Sequence, residues 1–351
     1  MRNKVTFLSL YLVGFITIMH INAYRFAVYG DAGADMGDPK IFNEEILGFI
    51  NGFVTKARPK IDFVIFVGDG INSATDKEYR ENNLAKWLDF MKKGLKGIQL
   101  YPALGNHDIY GATGWIEKKL EPQYQKTFNF LPSNGPKDYQ KIDYSFEYGT
   151  GKEKSLFIAL DSFGFPSDQQ QGFDNDYDQE QLTWLKAQAQ SSDAPHKFVY
   201  MHSPIFSVEG WPIGKAVPEL LNLVKHYNFD MVFCGHEHLY SRSILAHIPT
   251  QQGFRDLIQI QPGPSGSKPS AGNKINPQKA PIVRMHTGYS FVIIEVHDEK
   301  VTGQAFAVVK DSAGKLSTQK FDEFGVKQSP AIKQTESTAP QNALSRTASA
   351  T

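Results

Sequence analysis

Cysteine is almost missing from this sequence: Cys234 is the only one in 351 residues. That excludes an internal disulfide framework. Cys234 itself lies in an apolar run and reads as a small buried side chain rather than a ligand or nucleophile. Net charge is missing too, because 37 Lys and Arg balance 37 Asp and Glu. A strong basic field for nucleic acid is thereby argued against, and no nucleic-acid partner is expected. Past the N-terminus there is no apolar run long enough for a transmembrane helix, so no membrane span is expected in the mature chain. The chain shows no internal repeat, and the scattered serines with one cysteine offer no nucleophilic triad.

What is present is an ordinary globular composition, 41% hydrophobic and 21% charged, long enough to bury a full core. The first residues have the pattern of an export signal. Arg2 and Lys4 precede the apolar stretch Val5 to Met19, and Ile21-Asn22-Ala23 ends on a small residue. Removal after Ala23 is expected, which implies a secreted or periplasmic protein. After about Val326 the chain turns rich in Gln, Ser, Thr, Ala and Lys with no apolar period, as a disordered tail does. The expected division is a signal peptide over 1–23, a catalytic domain over 24–325 and a tail over 326–351.

Within the domain, apolar runs alternate with helical patterns. Tyr24 to Tyr29, Ile61 to Val67, Ile98 to Leu104, Lys197 to Met201 and Asp230 to Cys234 read as strands. Tyr144 to Glu147 and Ser155 to Leu160 read as a strand pair, and Phe291 to Val296 with Val301 to Val309 as a late antiparallel hairpin. Helices are expected over Pro39 to Lys56, Glu78 to Gly94 and Asp178 to Ala189, the first with Phe42, Ile46, Phe49, Ile50 and Phe53 on one face. The aromatics Phe63, Phe66, Phe198, Tyr200 and Phe233 belong to the core. The order of strand, loop and helix puts the loops at strand ends, where open α/β proteins place ligands.

Five short motifs stand at the ends of those strands. They are Gly30-Asp31-Ala32-Gly33, Gly68-Asp69-Gly70-Ile71-Asn72, Gly105-Asn106-His107-Asp108, His202 and Gly235-His236-Glu237-His238. Together they offer two carboxylates, one amide oxygen and three imidazoles besides His107, enough to hold two metal ions side by side. Such a donor set suits zinc, manganese or iron better than copper(I). Asp69 sits in a Gly-Asp-Gly turn, where its carboxylate can approach two ions and bridge them. Outside these motifs, Asp161 reads as a turn cap near the site, His286 as structural, and His196, His226, His247 and His297 as lacking motif context.

This ordered set resembles the calcineurin-like metallophosphoesterases. Gly-Asp-Ala-Gly and Gly-Asn-His-Asp are most similar to the small purple (tartrate-resistant) acid phosphatases, as are Phe128-Asn129-Phe130, Gln181, Trp184-Leu185 and Met201-His202-Ser203-Pro204. The likeness runs from about Arg25 to Phe306. It implies an α/β (α+β) fold, a four-layer αββα sandwich of two mixed sheets flanked by helices. It also implies a pair of metal ions. Asp31 would bind the first, Asp69 both, Asn106, His202 and His236 the second, and His238 the first again. His107 would not be a ligand; it would contact the substrate phosphate and is a candidate to assist the leaving group. The activity implied is hydrolysis of phosphate monoesters on a small substrate by a metal-bridging hydroxide, in a monomer. A phosphodiesterase or nucleotidase on the same scaffold, and a non-catalytic binding protein reusing the fold, are the alternatives. Pocket walls would come from loops such as Asp108 to Glu121 and Phe163 to Tyr177.

The sequence departs from that family in three places. Asn72 stands where the purple phosphatases have a tyrosine whose phenolate binds iron(III). Gly33 stands where other members have a histidine. Val208-Glu209-Gly210-Trp211 occupies the stretch of a second substrate-side histidine. Asn72 remains a candidate seventh ligand, but an amide oxygen is neutral and weaker than a phenolate. The metal-loaded protein is therefore expected to be colourless, with a first site that is weaker or selects a divalent ion. An absorption spectrum checks this, and a visible tyrosinate–iron band would contradict it.

Overall fold

The computed structural model describes residues 23–34, 43–72, 77–109, 121–163, 177–210, 214–250, 253–272 and 281–327. The expected signal segment before Ala23, the expected tail past Lys327 and most of the two loops expected to form pocket walls lie outside the described residues. Two mixed sheets form the centre of the molecule. The first runs in the order β13-β12-β11-β1-β2-β3. Its parallel part is β1 (Tyr24–Tyr29), β2 (Phe63–Phe66) and β3 (Gln99–Pro102). β11 (Ser290–His297) joins antiparallel to β1, followed by β12 (Lys300–Lys310) and β13 (Leu316–Lys327).

The second sheet runs β10-β8-β9-β7-β6-β5-β4. β5 (Ser155–Ala159), β6 (His196–Tyr200), β7 (Met231–Phe233) and β9 (Gly253–Pro262) are parallel neighbours. β4 (Tyr144–Tyr148), β8 (Tyr240–Thr250) and β10 (Ile282–His286) pair antiparallel at the flanks.

Alternation along the strands makes the layers. In β5, Phe157 and Ala159 join the core between the sheets, while Leu156 and Ile158 join a second apolar cluster. That second cluster includes Leu182 and Leu185 of α4 (Gln179–Ser191) and Leu220 and Val224 of α5 (Val217–His226). On the other sheet, α1 (Glu44–Lys56) and α2 (Lys77–Leu95) bury Ile46, Leu47, Ile50, Trp87 and Met91 in the main core. The expected four-layer αββα sandwich is the fold observed. Continuous apolar runs such as Phe63–Phe66 follow from a strand covered on both faces. Among the described residues, no helix is long and apolar enough to cross a membrane.

Helix ends follow local chemistry. Asn43 caps α1 by accepting from the Ile46 N–H at 3.2 Å, with Glu44 and Glu45 in the first turn. Asp178 and Gln181 form a reciprocal capping box at α4. The buried face of α1 differs from expectation: Ile46, Leu47, Ile50, Asn51 and Val54 face in, while Phe49 and Phe53 are only half-buried. A polar residue explains the rotation. The Tyr29 hydroxyl donates to Asn51 Oδ1 at 2.6 Å, so an inward amide is satisfied where an apolar side chain would be expected.

β8, β9, β10, β13 and the helices α3 (Glu121–Thr127) and α5 have no counterpart among the expected elements. β13 carries strand structure through Lys327, so Val326 is a buried partner of Val301 rather than the start of a tail. Its outer side is solvent, and a half-exposed edge strand shows little apolar alternation.

Aromatic side chains tie the two sheets together, among them Phe26 and Phe63. Phe26 of β1 stacks on Phe63 of its own sheet at 5.1 Å. It also meets Phe157, Phe198 and Phe233 of the other sheet at 5.3, 5.6 and 5.9 Å. Phe26→Ala is expected to lower unfolding free energy by about 3–5 kcal/mol, measured by denaturant titration. A loss under about 1 kcal/mol would show that this contact does not hold the layers together.

Candidate metal centre

The five motifs converge because their strands run parallel. β1, β2 and β3 deliver Asp31, Asp69 and Asn106-His107 from one sheet; β6 and β7 deliver His202 and His236-Glu237-His238 from the other. Backbone bonds lock the loops to one another: Asp31 N donates to Gly68 O, and Gly33 N to Asp69 O, each at 3.0 Å. Gly235 N reaches His202 O at 2.8 Å.

Four site residues turn in the left-handed region. The φ angles are 49° at Asp31, 54° at Asp69, 78° at His236 and 50° at His238. Asp and His enter that region more readily than most residues, yet each such turn stores strain. Two glycines make room. Gly68 has φ 89°, and a Cβ there would lie 2.6 Å from His202 Nδ1. A Cβ at Gly105 would collide with the backbone nitrogen and carboxylate of Asp69.

Asp31, Asp69 and His202 are buried and each offers a ligand atom within 4.8 Å of the others. His202 Nε2 lies 3.2 Å from Asp69 Oδ2 and 4.0 Å from Asp31 Oδ1. Its Nδ1 sits 2.7 Å from Val67 O, an acceptor, so Nδ1 carries the proton and Nε2 faces the carboxylates. His238 Nε2 approaches Asp31 Oδ1 at 3.7 Å, with Nδ1 held by Lys268 O at 3.0 Å. His236 Nδ1 is 3.3 Å from Asn106 Oδ1. His107 Nε2 is 3.9 Å from Asp69 Oδ2, and the side chain keeps 35% exposure, so it is open to a bound molecule.

The structure thus gathers Asp31, Asp69, Asn106, His107, His202, His236 and His238. Asn72 is not part of these contacts; it is half-buried, with its backbone N–H on Ala34 O at 3.2 Å.

The electrostatics call for positive charge at this point. Burial raises the Asp31 carboxyl above its ordinary value, opposed by His202 and His238 and reinforced by Asp69. Burial alone would raise Asp69 too, but His202 and His107 outweigh it and hold it well below the usual carboxylate range. For His202 burial acts downward, and Asp69 overcomes it to lift the imidazole to about 10. A proton on His202 meets the need; so does a metal ion. The donor set fits a metal on a second count, because the buried Asp31 Oδ2 has no hydrogen-bond partner among the described residues.

Two further carboxylates, Asp108 and Glu237, lie within the motifs. Asp108 accepts from Gly105 N at 2.9 Å and Ile71 N at 3.2 Å, tying the loops after β2 and β3. Burial and Asp69 push it up to about 7. Glu237, 2% exposed, accepts from Ser207 Oγ at 2.5 Å, Val208 N at 3.0 Å, Glu209 N at 2.9 Å and Gln261 Nε2 at 2.6 Å. It fastens the Val208-Glu209 stretch to the His236–His238 loop. The readable signal was an acidic residue wedged between two histidines after an apolar strand. Trp211 lies outside the described residues. Asp161 behaves as expected and caps its turn through Phe163 N at 2.9 Å. Buried His196 sits between Asp230 and the Asp298 carbonyl.

No curated protein sequence matches this chain. Solved structures similar to it include a purple acid phosphatase from yellow lupin (Lupinus luteus) seeds, at TM-score 0.59 and 16% identity, covering 87% of this chain and 54% of that one. PhoD aligns at TM-score 0.62 and 13% identity, over 88% of this chain and 70% of that one. A dimetal phosphatase from Danio rerio aligns at TM-score 0.54 and 11% identity, over 87% and 98%. The chain spans about half the length of the lupin protein. At these identities the likeness establishes the fold alone. The calcineurin-like phosphoesterase profile, however, matches residues 24–240, from β1 through His238. That stretch is more than half of the sequence and holds all five motif loops, so the chain belongs to the calcineurin-like phosphoesterase family.

Proposed function

We propose that this protein hydrolyses phosphate monoesters at a two-metal centre held by Asp31, Asp69, Asn106, His202, His236 and His238. The observation that carries the reading is the convergence of two buried carboxylates with His202, with His238 and the Asn106–His236 pair beside them. Bound iron, zinc or manganese would supply charge neutralisation on phosphate oxygens and a water of lowered pKa. Asp69, approached by His202 and His107, would be the shared carboxylate; Asp31 and His238 would hold one ion, and Asn106, His202 and His236 the other. Val67 O fixes the His202 tautomer, and Lys268 O orients the His238 ring.

His107 contributes at the half-exposed mouth, where its ring can touch a phosphate oxygen or give a proton to a leaving alkoxide. No protein nucleophile enters this scheme: burial pushes the Cys234 thiol up and keeps it from substrate. Asn72 stays outside the ligand set in this reading. Export follows from the N-terminal pattern, and the enzyme acts as a monomer on small phosphorylated substrates.

Metal analysis and phosphatase assay on one preparation test the proposal. Asp69→Ala is expected to lose both bound metal and activity. His107→Ala is expected to keep its metal and lose turnover by about 100-fold or more. An Asp69→Ala protein with two ions and full activity would end the two-metal reading. An unsubstituted protein that takes up no metal and hydrolyses nothing would instead favour a binding protein on this fold.

The monoester assignment is tested separately, by comparing kcat/KM for an aryl phosphate and the matching bis-aryl diester. The monoester is expected to be preferred at least tenfold, and the reverse preference would move the assignment to a phosphodiesterase.

A further inference from the structure

The half-buried aromatics of α1 border a feature at the far end of the sheet from the metal loops. Gly48 and Gly52 lie four residues apart and so share one face of the helix. Among the described residues, a Cβ on Gly52 would meet no atom within 4 Å, and one on Gly48 would touch Phe90 Cζ alone, at 3.7 Å. Packing therefore requires neither glycine, although glycine weakens a helix interior relative to alanine. The space they leave belongs to a cavity of about 710 Å³. That is the size of a small-molecule site, roughly 300–1,000 Å³.

One wall of the cavity is aromatic and one end is cationic. Phe49, Phe53 and Phe306 form the wall, and Phe53 is braced by Phe291 at 5.0 Å and Phe306 at 5.5 Å. Arg25, Lys56 and Arg58 line the same cavity, and no acidic side chain is among its described lining residues. The Arg25 guanidinium is steadied by Pro59 O at 2.9 Å and by Glu295 at 3.4 Å. Arg58 donates to Ala57 O at 2.7 Å, and neither Arg58 nor Lys56 enters an ion pair among the described residues. Arg25 is the second residue of β1 and Asp31 follows its end, which separates the cavity from the metal centre by roughly 20 Å at about 3.3 Å per strand residue.

We propose that this groove is a second ligand site, for a small amphipathic anion: an apolar chain ending in one negatively charged group. The chain lies along Phe49, Phe53 and Phe306 in the volume that Gly48 and Gly52 leave open. The head group sits against Lys56, Arg58 and Arg25, where its charge is complemented. The site is independent of phosphoester chemistry, because none of its residues takes part in the metal loops.

Calorimetric titration of the full chain with decanoate tests this. One binding event per chain is expected, with decanol, the same chain without the charge, at least tenfold weaker. The double variant K56E/R58E is expected to erase that preference, and Gly52→Leu, which fills the volume, to abolish binding of both. Metal content and phosphatase activity of both variants should match the unsubstituted chain. Equal binding of decanoate and decanol, or undiminished decanoate binding by a folded Gly52→Leu chain, would overturn the proposal. Should Gly52→Leu fail to fold, an unchanged decanoate preference in K56E/R58E overturns it on its own.

Discussion

Two carboxylates buried side by side organise this molecule. Asp31 and Asp69 are almost wholly removed from water, and isolated charges in that position cost several kcal/mol each unless opposite charge meets them. The surrounding groups answer that demand. His202 presents Nε2 to both carboxylates, His238 approaches Asp31, and the backbone N–H groups of His236 and His107 donate to Asp31 and Asp69 at 2.9 Å. The same demand makes the site receptive to cations. A donor set of carboxylate, imidazole and amide around a desolvated point is chemistry that divalent and trivalent ions satisfy better than a single proton does.

The sandwich exists to bring those groups to one place. Neither sheet alone carries the cluster: Asp31 and Asp69 come from one, His202, His236 and His238 from the other. The contacts of Phe26 with Phe157, Phe198 and Phe233 are among those that hold the two sheets, and so the two halves of the centre, against each other. Left-handed turns at Asp31, Asp69, His236 and His238 then aim side chains that an extended backbone would send elsewhere. Asp108 and Glu237 stitch neighbouring loops by accepting backbone N–H groups, which steadies the strained turns from behind.

Much of this was legible in the sequence, for identifiable reasons. β1 matches its expected span because Tyr24 to Tyr29 has a strong strand composition and ends at a glycine. The α4 start was legible because its acidic first turn, with Asp178 and Glu180, is a purely local signal. The α1 face is not legible in the sequence because Asn51 is polar there, and only its bond to the Tyr29 hydroxyl makes it an inward residue. β13 was missed because an edge strand borrows its order from β12 and keeps little pattern of its own. The hydrogen bonds of Glu237 were equally invisible, since its partners Ser207, Val208, Glu209 and Gln261 lie far off in the chain.

By itself the sequence determined the chemistry on offer: which donors exist, that each follows a buried strand, and that a glycine lies in the motif of all of them but His202. It did so because strand burial and turn preference are local properties, written within a few residues. The tertiary structure alone decided which donors meet. Asp31 and His202 are brought together by the packing of two sheets, although 171 residues of chain separate them. Distances across a sandwich depend on how aromatic side chains such as Phe26 interlock, a property of the whole core that no short stretch of chain encodes.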